Sequence, residues 1–415
     1  MRIVWLCHYF APEIGAPQSR LLDLARVFRA EGHEVAVVTC FPNHPTGVLR
    51  DEDRGVWFRR DELDGIAVER CRSYVTPNRG FVKKTLGHLS FMLSGLRGLT
   101  RAARDGRPDV VIASSPTFFS VLTAWWWCLL HRVPYVFEVR DLWPAVFVDL
   151  GVLRNRALIR LLECVELFLY RRALRVVTVT RTFTDHIAAR GIPRERLAVV
   201  TNGVDLARFA PVPRDAGLAR EAGLDGAFTV LYLGAHGISH ALCRIADAAA
   251  LCADLPDVRF AFVGEGAEKD ALAAHVASRG IANVVLHGGV PSADVPRWYA
   301  LADVALVPLR DVPLFDTFIP SKMFELMAAG VPIVASVRGE AREILERSGA
   351  ALVVDPEDAG AIAAAVRTLH ADPARRRAMG EAGRAFVARE YSRTHLGRAY
   401  LQVLAAALEE RRGRR

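Results

Sequence analysis

The chain has 415 residues, more than one hydrophobic core organises, since single cores stop growing at about 250–300 residues. Its composition, 52% hydrophobic and 24% charged, is that of a globular protein and excludes a disordered or fibrous chain. The net charge of +8 lies in the first half, because residues 1–200 carry a net +9 and residues 201–415 a net −1. This asymmetry suggests an anionic partner for the first half, such as a phosphate ligand or an anionic membrane.

A signal peptide has a charged region, an apolar region and a cleavage site in that order. The N-terminus begins directly with an apolar run and lacks this order, so we expect no signal peptide. The longest apolar stretch, residues 117–130, is shorter than the roughly 20 residues that cross a bilayer. The seven cysteines form no C-x-x-C pair, which is typical of reduced thiols and not of a disulfide or zinc framework. We therefore expect a cytoplasmic protein that does not span a membrane.

The first half alternates β-branched runs with helical patterns. Strands are predicted over residues 2–7, 34–40, 109–113, 135–139, 176–179 and 198–200, and the first helix over residues 18–31. Such alternation predicts βαβ units and a parallel sheet. The turn-rich segment 201–205, followed by Pro211 and Pro213, interrupts it and is the candidate linker.

After this linker the alternation restarts. Strands are predicted over residues 229–233, 259–263, 284–287, 304–307, 332–335 and 351–353. We therefore expect an α/β protein with two doubly wound, Rossmann-like domains, residues 1–204 and 205–391, facing each other across a cleft. Residues 392–415 contain an amphipathic helix whose docking stays open.

Ligands of doubly wound sheets bind at the carboxyl ends of the strands. The segment after the first strand contains neither G-x-G-x-x-G nor a P-loop, which argues against the dinucleotide-binding and P-loop classes of nucleotide-binding proteins. Gly15 and Ala16 lie there, where the backbone can approach a phosphate at a helix N-terminus; a tight turn is the alternative. Arg140 and Asp141 follow a predicted strand, at the cleft mouth; a structural ion pair is the alternative.

The second domain offers candidates at the same edge of its sheet. Gly264 and Gly266 follow one predicted strand and His287 to Val290 the next, and glycine there lets backbone or flat rings come close. Ser321 precedes a predicted helix and places Lys322 in its first turn, where a cation opposes the helix dipole. A bound anion would resolve that conflict. Glu325, one turn later, would suit the two hydroxyls of a ribose; an exposed Lys–Glu pair is the alternative.

Segments along almost the entire chain match a known family in the expected order. They are HYFAPEIGAPQSR (8–20), FPNHPTG (41–47), EVRDLWP (138–144), NGVD (202–205), the Gly264–Gly266 turn and IPSKMFELMAAGVP (319–332). The chain resembles the retaining glycosyltransferases of family 4, with the GT-B fold. It is most similar to the L-fucosamine transferase-like branch, which builds surface polysaccharides.

The resemblance implies transfer of a sugar, here an N-acetylated amino or deoxy sugar, from a UDP-sugar to a lipid-linked or other glycan acceptor with retention. The N-terminal domain would bind the acceptor and the C-terminal domain the nucleotide-sugar. Glu325 takes the place of the ribose-binding glutamate, and Ser321 and Lys322 would meet the diphosphate. The other donor-binding residues implied are Gly15, Ala16, Asn202, Gly264, Gly266, His287 and Val290.

The sequence departs from the family pattern in two places. The earlier of the family's paired glutamates is Thr317 here, and the Arg and Lys that often follow the first strand of the second domain are absent from residues 232–237. Lys322 is left with more of the phosphate charge, helped by Arg140. No acidic metal cluster is evident, so we expect a reaction without metal or other cofactor.

We expect a front-face transfer in which the leaving phosphate accepts the acceptor's proton, while Asp141 and Arg140 position acceptor or donor hydroxyls. Asp141, Arg140, Lys322 and Glu325 are the expected catalytic residues. A UDP-sugar 2-epimerase and a catalytically silent nucleotide-sugar-binding protein remain alternatives. A natural-product pathway stays open beside a polysaccharide one, and no nucleic acid is expected as a partner.

Residues 79–104 contain six basic residues and no acidic one. Val82, Leu86, Leu89, Leu93 and Leu96 recur at helical spacing on one side, which is the pattern of an interfacial helix. We expect peripheral docking on an anionic membrane, on the inner face of the plasma membrane; an ordinary helix packed on the sheet is the alternative. Two other motifs are given structural interpretations: residues 51–53 as a solvated loop, and the tryptophans 125–127 as core or membrane-facing surface.

Overall fold

The structure is a computed structural model that describes residues 1–13, 15–43, 47–76, 81–115, 118–149 and 153–413. The chain divides into two compact units. Unit 1 comprises Met1–Asn202 together with Arg393–Arg415, and unit 2 comprises Gly203–Ser392. The division after residue 202 lies two residues before the expected boundary, and the C-terminal helix is part of unit 1.

Unit 1 contains an eight-stranded sheet in the order β3-β4-β2-β1-β5-β6-β7-β8, parallel except for the β3–β4 pair. Its strands are β1 Arg2–Leu6, β2 Glu34–Cys40, β3 Phe58–Leu63, β4 Ile66–Cys71, β5 Val110–Ser114, β6 Tyr135–Val139, β7 Arg175–Thr178 and β8 Leu197–Val199. Its helices are α1 Ala16–Ala30, α2 Phe81–Ala102, α3 Phe118–His131, α4 Ala145–Asp149, α5 Arg156–Arg172, α6 Arg181–Ala189 and, after unit 2, α15 Arg393–Gly413.

The β3–β4 hairpin was not expected from the sequence. β3 has the sequence FRRDEL and is only partly buried, so its charged residues do not form the apolar pattern that predicts a strand. Residues 51–53, before β3, were expected to form a solvated loop, and this expectation is confirmed for two of the three residues. Asp51 and Glu52 are exposed, but Asp53 is buried and accepts a 2.6 Å hydrogen bond from Arg59 of β3.

Alternate residues of the central strands enter different cores, as the period of two of a β-strand requires. On one face Ile3 and Trp5 pack with α1 and α15; Trp5 and Tyr400 of α15 lie 5.9 Å apart between ring centroids. On the other face Val4 and Leu6 pack with α2, α3, α5 and α6. The docking of the C-terminal helix, open from the sequence, is therefore on α1.

Unit 2 contains a six-stranded, wholly parallel sheet in the order β11-β10-β9-β12-β13-β14. Its strands are β9 Phe228–Leu233, β10 Val258–Val263, β11 Val284–His287, β12 Val304–Pro308, β13 Ile333–Ser336 and β14 Ala351–Val354. Its helices are α7 Ala216–Glu221, α8 Leu242–Ala250, α9 Lys269–Ser278, α10 Val295–Tyr299, α11 Lys322–Ala328, α12 Gly339–Ser348, α13 Ala359–Ala371 and α14 Pro373–Glu390.

This is the doubly wound order 3-2-1-4-5-6, whose ligands lie beyond the carboxyl ends of the strands. In unit 2 those ends carry the loops after β9, β10 and β11 and the segment before α11. Within the part of the chain that the structure describes, no helix is long and apolar enough to cross a membrane.

Candidate active site

The loops after β9 and β10 touch each other through backbone. Gly234 N donates a 2.9 Å hydrogen bond to Val263 O, and a Cβ on Gly264 would lie 1.9 Å from Gly234 O. Gly264 and Gly266 have φ of +154° and +157°, in the region that favours glycine. A Cβ on Gly266 would lie 2.4 Å from the carbonyl oxygen of His236. Both predicted glycines are therefore required by loop packing, and they hold the β9 loop in place.

Lys322 is the first residue of α11, and Ser321 precedes it without a side-chain cap to the helix. The Lys322 Nζ is buried and has no hydrogen-bond partner among the described residues. It lies 4.0 Å from the ring centroid of Tyr232 on β9. Burial lowers the pKa of Lys322 to about 7, and the nearby carboxylate of Glu325 offsets only part of that shift. A buried cation without an anion is costly, so the site is suited to an anionic ligand.

Glu325 lies one turn further along α11. Its Oε2 accepts a 2.8 Å hydrogen bond from the hydroxyl of Tyr299. Burial raises the pKa of Glu325, while that hydroxyl, Arg208 and Lys322 act in the opposite direction. Its other oxygen has no hydrogen-bond partner in the described ranges, so it is available to hydroxyl groups of a ligand.

His287 and Val290 contribute mainly to the fold of unit 2. His287 Nε2 lies 3.1 Å from the carbonyl oxygen of Ala222, and its ring centroid is 5.2 Å from that of Trp298. Val290 is half-buried and packs against the core below α11. Their predicted contacts to a nucleotide remain predictions.

Arg140 and Asp141 follow β6 in unit 1. The Arg140 backbone N–H donates a 2.8 Å hydrogen bond to Ser115 Oγ. Burial lowers the pKa of Arg140 and raises the pKa of Asp141. Among the described residues, the two side chains form no ion pair with each other or with a third group. The structural ion pair considered from the sequence is not formed among the described residues, although each charge acts on the pKa of the other. Contacts of these two side chains with a ligand remain predictions.

Glu138, two residues earlier in the same motif, serves the fold instead. It is fully buried, accepts a 2.6 Å hydrogen bond from Ser114 Oγ and pairs with Arg20 at 3.3 Å. Arg20 also donates to the carbonyl oxygens of Val200, at 2.8 Å, and Thr201. This network fixes the chain just before unit 2 begins.

Gly15 and Asn202 lie in loops of unit 1, and Ala16 lies at the start of α1. Gly15 is the N-cap of α1 with extended backbone, and a Cβ there would lie 2.3 Å from Gln18 Oε1. Ala16 begins α1, and Asn202 ends the N-terminal segment of unit 1. Unit 1 thus holds five of the predicted site residues after β1, β6 and β8, and unit 2 holds the remaining seven after β10 and β11 and at the start of α11.

Two residues of this region were missed from the sequence: His236 and His240, in the loop after β9. Both rings lie 5.8 Å from the ring of Tyr232, on which Lys322 also packs. The available signal was the absence of Arg and Lys from residues 232–237, since the phosphate site expected there would need other donors. Within the described ranges, no group of three or more His, Cys, Asp or Glu side chains could hold a metal ion.

Comparison with known proteins identifies the family. The family model described as "Glycosyl transferase 4-like domain" matches residues 15–203, and the one described as "Glycosyl transferases group 1" matches residues 227–372. The chain belongs to the GT-B glycosyltransferases. The two models together support a glycosyltransferase of the family 4 and group 1 type, and the L-fucosamine transferase-like branch stays a prediction.

Curated relatives of this glycosyltransferase agree with the assignment. It is 26% identical, over 86% of its own length and 89% of the relative's, to a protein of Escherichia coli named putative colanic acid biosynthesis glycosyl transferase WcaI. It is 28% identical, over 92% of both chains, to a GDP-mannose-dependent alpha-mannosyltransferase of Mycolicibacterium smegmatis.

Solved structures confirm the GT-B fold. Anabaena HepE in complex with UDP and glucose superposes with a TM-score of 0.71 at 19% identity, covering 97% of this chain and 99% of that one. Sucrose-phosphate synthase of Thermosynechococcus elongatus superposes with a TM-score of 0.70 at 19% identity, covering 98% and 99%.

Proposed function

We propose that this glycosyltransferase moves a sugar from a UDP-sugar to a lipid-linked or other glycan acceptor with retention of the anomeric configuration. Unit 2 binds the donor in this proposal, and unit 1 binds the acceptor. The observation that carries the proposal is the buried ammonium of Lys322, which no carboxylate neutralises directly. A diphosphate supplies the missing negative charge.

Charge development gives Lys322 its role. As the glycosyl–phosphate bond breaks, positive charge grows on the sugar and negative charge on the diphosphate. A preorganised cation at the leaving phosphate stabilises that charge without solvent reorganisation. Glu325 binds the ribose through its available oxygen, while the Tyr299 hydroxyl holds the carboxylate in place.

The transfer is proposed as a front-face reaction without metal. The leaving phosphate takes the acceptor's proton, so no basic side chain is required at the attacking oxygen. Asp141 and Arg140 position the acceptor or the donor hydroxyls in this proposal; burial shifts the pKa of both groups. Retention follows because attack and departure occur on one face of the sugar.

The nucleotide is proposed as UDP, the nucleotide bound in HepE. GDP-mannose is the second candidate, because the mannosyltransferase relative that matches over 92% of both chains is named for it. The E. coli relative is named for colanic acid biosynthesis, which favours a polysaccharide pathway over a natural-product pathway for this chain.

A donor panel tests the proposal. The purified protein is incubated with UDP-N-acetylhexosamines, UDP-deoxysugars, UDP-glucose and GDP-mannose, with and without a membrane extract as acceptor. Release of UDP that requires acceptor supports the transferase. A new sugar isomer without acceptor would indicate an epimerase, and binding without turnover a silent binding protein. The anomeric configuration of the product, read by NMR, tests retention, and excess EDTA tests metal independence.

A further inference from the structure

Three side chains that can carry positive charge surround one aromatic ring in unit 2. Lys322 Nζ lies 4.0 Å from the ring centroid of Tyr232, and the rings of His236 and His240 lie 5.8 Å from it. We call these three side chains the Tyr232 cluster. The Tyr232 hydroxyl donates a 2.6 Å hydrogen bond to Ala235 O, which holds the loop that carries His236 against the cluster.

Backbone packing places this loop beside Lys322. A Cβ on Gly234 would lie 2.6 Å from Lys322 Nζ, and a Cβ on Gly264 would lie 3.1 Å from Cδ2 of His236. The backbone N–H of His236 donates to Glu265 O, and its carbonyl accepts from Glu268 N, both at 2.9 Å. The loop is therefore fixed on both sides before any ligand binds.

The cluster is short of partners. His236 is fully buried, and neither of its ring nitrogens has a hydrogen-bond partner among the described residues. Lys322 Nζ is likewise buried and unpartnered. His240 is half-buried, and its Nδ1 lies 3.3 Å from both Gly237 O and Ser239 Oγ, while its Nε2 forms no hydrogen bond with a described residue. Buried polar atoms normally find partners, so the unpartnered ring of His236 and the unpartnered ammonium of Lys322, with His240 beside them, indicate a missing ligand.

The neighbouring charged groups indicate the sign of the charge on that ligand. Lys322 faces one carboxylate, Glu325, whose Oε2 already accepts the Tyr299 hydroxyl. His236 faces Lys322, Lys269 and Glu265, but Glu265 Oε1 is held by Lys269 at 2.6 Å. The charged and titratable groups that face His240 are Lys322 and His236. The cluster therefore has a deficit of negative charge.

We propose that His236 and His240 are ligands of the donor's diphosphate beside Lys322. They would take the place of the Arg and Lys that often follow the first strand of the second domain and that are absent from residues 232–237. The inference rests on the proposed function and deepens it. It assigns the phosphate contacts to imidazole side chains, which can gain a proton when an anion binds, whereas guanidinium groups are always charged.

Proton uptake follows from this arrangement. Burial and the charge of Lys322 lower the pKa of His240 to about 4, and burial lowers the pKa of His236, so both rings are neutral in the free protein at pH 7. A bound polyanion favours the charged forms and raises these pKa values. Binding of UDP therefore takes up protons, and affinity falls as pH rises above the pKa values of the bound state.

Calorimetry of UDP and UMP binding at pH 7.0 tests the proposal. The double variant His236→Gln and His240→Gln should bind UDP at least tenfold more weakly, which is the loss expected for a hydrogen bond to a charged group. UMP, which lacks the second phosphate, should be affected less. Titrations in two buffers of different ionisation enthalpy should show fewer protons taken up by the double variant than by the wild type. His370→Gln, whose imidazole pairs with Asp257 at the other end of the sheet, is the matched control.

Wild-type affinity and proton uptake in a folded double variant would overturn the proposal. Should that variant not fold, NMR of the wild type labelled at histidine replaces it. Two of the twelve histidine resonances must titrate at higher pH when UDP is present, and unchanged titration of all of them would overturn the proposal. Failure of both UDP and GDP to bind the wild type would overturn the proposed function itself, a result distinct from either.

Discussion

Burial of the Lys322 ammonium costs stability in the folded protein. Its pKa is about 7 in the folded protein but 10.5 as the ordinary value, so the unfolded chain binds the proton more tightly. The resulting penalty is greatest below pH 7 and shrinks as pH rises from 7 towards 10.5. Lys322→Met should therefore raise the free energy of unfolding at pH 7, and less so at pH 9, as measured by urea denaturation.

The same substitution should damage the reaction. Loss of an electrostatic donor from an active site costs about 2–4 kcal/mol of transition-state stabilisation, measured as kcat/KM. Lys322→Ala should show the same loss without the gain in stability, because it leaves a cavity. Activity of either variant within a few-fold of wild type would exclude Lys322 as the principal cation for the diphosphate.

Glu325→Ala tests recognition of the ribose. Because the expected contact does not involve the transferred sugar, the variant should bind UDP itself about tenfold more weakly, the loss of a charged hydrogen bond. Glu346→Ala, which removes an exposed carboxylate paired with Arg342, is the control. An unchanged dissociation constant for UDP by calorimetry would contradict the assignment.

Asp141→Asn tests whether this residue serves the reaction or the fold. The carboxylate is buried enough to raise its pKa, and within the described ranges it holds no ion pair that the substitution would break. We expect the melting temperature to stay close to wild type while turnover falls. A strongly lowered melting temperature with intact specific activity would show a structural role instead.

At the scale of elements, the helices α2, α3 and α5 form a layer on one face of the unit 1 sheet, and this layer exposes apolar residues. The exposed fractions are 48% and 66% for Leu86 and Leu93 of α2, and 49%, 58% and 64% for Trp126, Leu129 and Leu130 of α3. On α5, Leu158 and Leu161 are 40% and 60% exposed. Among the described residues of α1 and α15, on the opposite face of the sheet, no large hydrophobic side chain is exposed.

Basic side chains accompany this layer. Lys83 and Arg97 of α2 and Arg156 and Arg160 of α5 are exposed, while Phe91, on the opposite side of α2, is buried against the sheet. The outer side of α2 is thus left to solvent. Arg79 lies outside the described residues, as do the side chains of Val82 and Lys84. Docking of this layer on an anionic membrane stays a prediction.

Vesicle co-sedimentation tests it. Binding should require anionic lipid and weaken with salt, because each basic residue near the surface adds about 1 kcal/mol. The variant with Lys83→Glu and Arg97→Glu should no longer bind anionic vesicles. The variant with Leu129→Ser and Leu130→Ser should bind them more weakly, although its charge is unchanged. Arg26→Glu with Arg398→Glu makes the same charge change on the opposite layer and should have little effect. Equal recovery in the supernatant with neutral and anionic vesicles at low salt would contradict the prediction.

The sequence predicted regular elements better than it predicted partners. Twelve of the fourteen strands were expected, because parallel strands buried on both faces read as apolar runs. The β3–β4 hairpin was missed since its charged edge strand lacks that signal. For the site, Lys322 and Glu325 followed from helix spacing and resemblance. His236 and His240 did not, because only the folded chain brings them to the ring of Tyr232.

At the scale of the whole molecule, the two units should respond differently to the donor nucleotide. Anything that binds only the native state stabilises it, by about 2.7 kcal/mol at a concentration a hundred times the dissociation constant. If unit 2 binds UDP, calorimetry should show a melting transition that UDP raises, and limited proteolysis should show protection within residues 203–392. Protection confined to unit 1 would contradict the assignment of the donor to unit 2.

The chain enters and leaves unit 2 at one place. The backbone N–H of Val204 donates a 2.9 Å hydrogen bond to Tyr391 O, and Val204 and Ser392 form a parallel bridge. Since α15 then returns to α1, unit 2 is an insertion between two parts of unit 1, with both junctions side by side. If unit 2 binds the donor, as proposed, grafting the equivalent segment of a relative at these two junctions should exchange the donor and leave the residues of unit 1 unchanged.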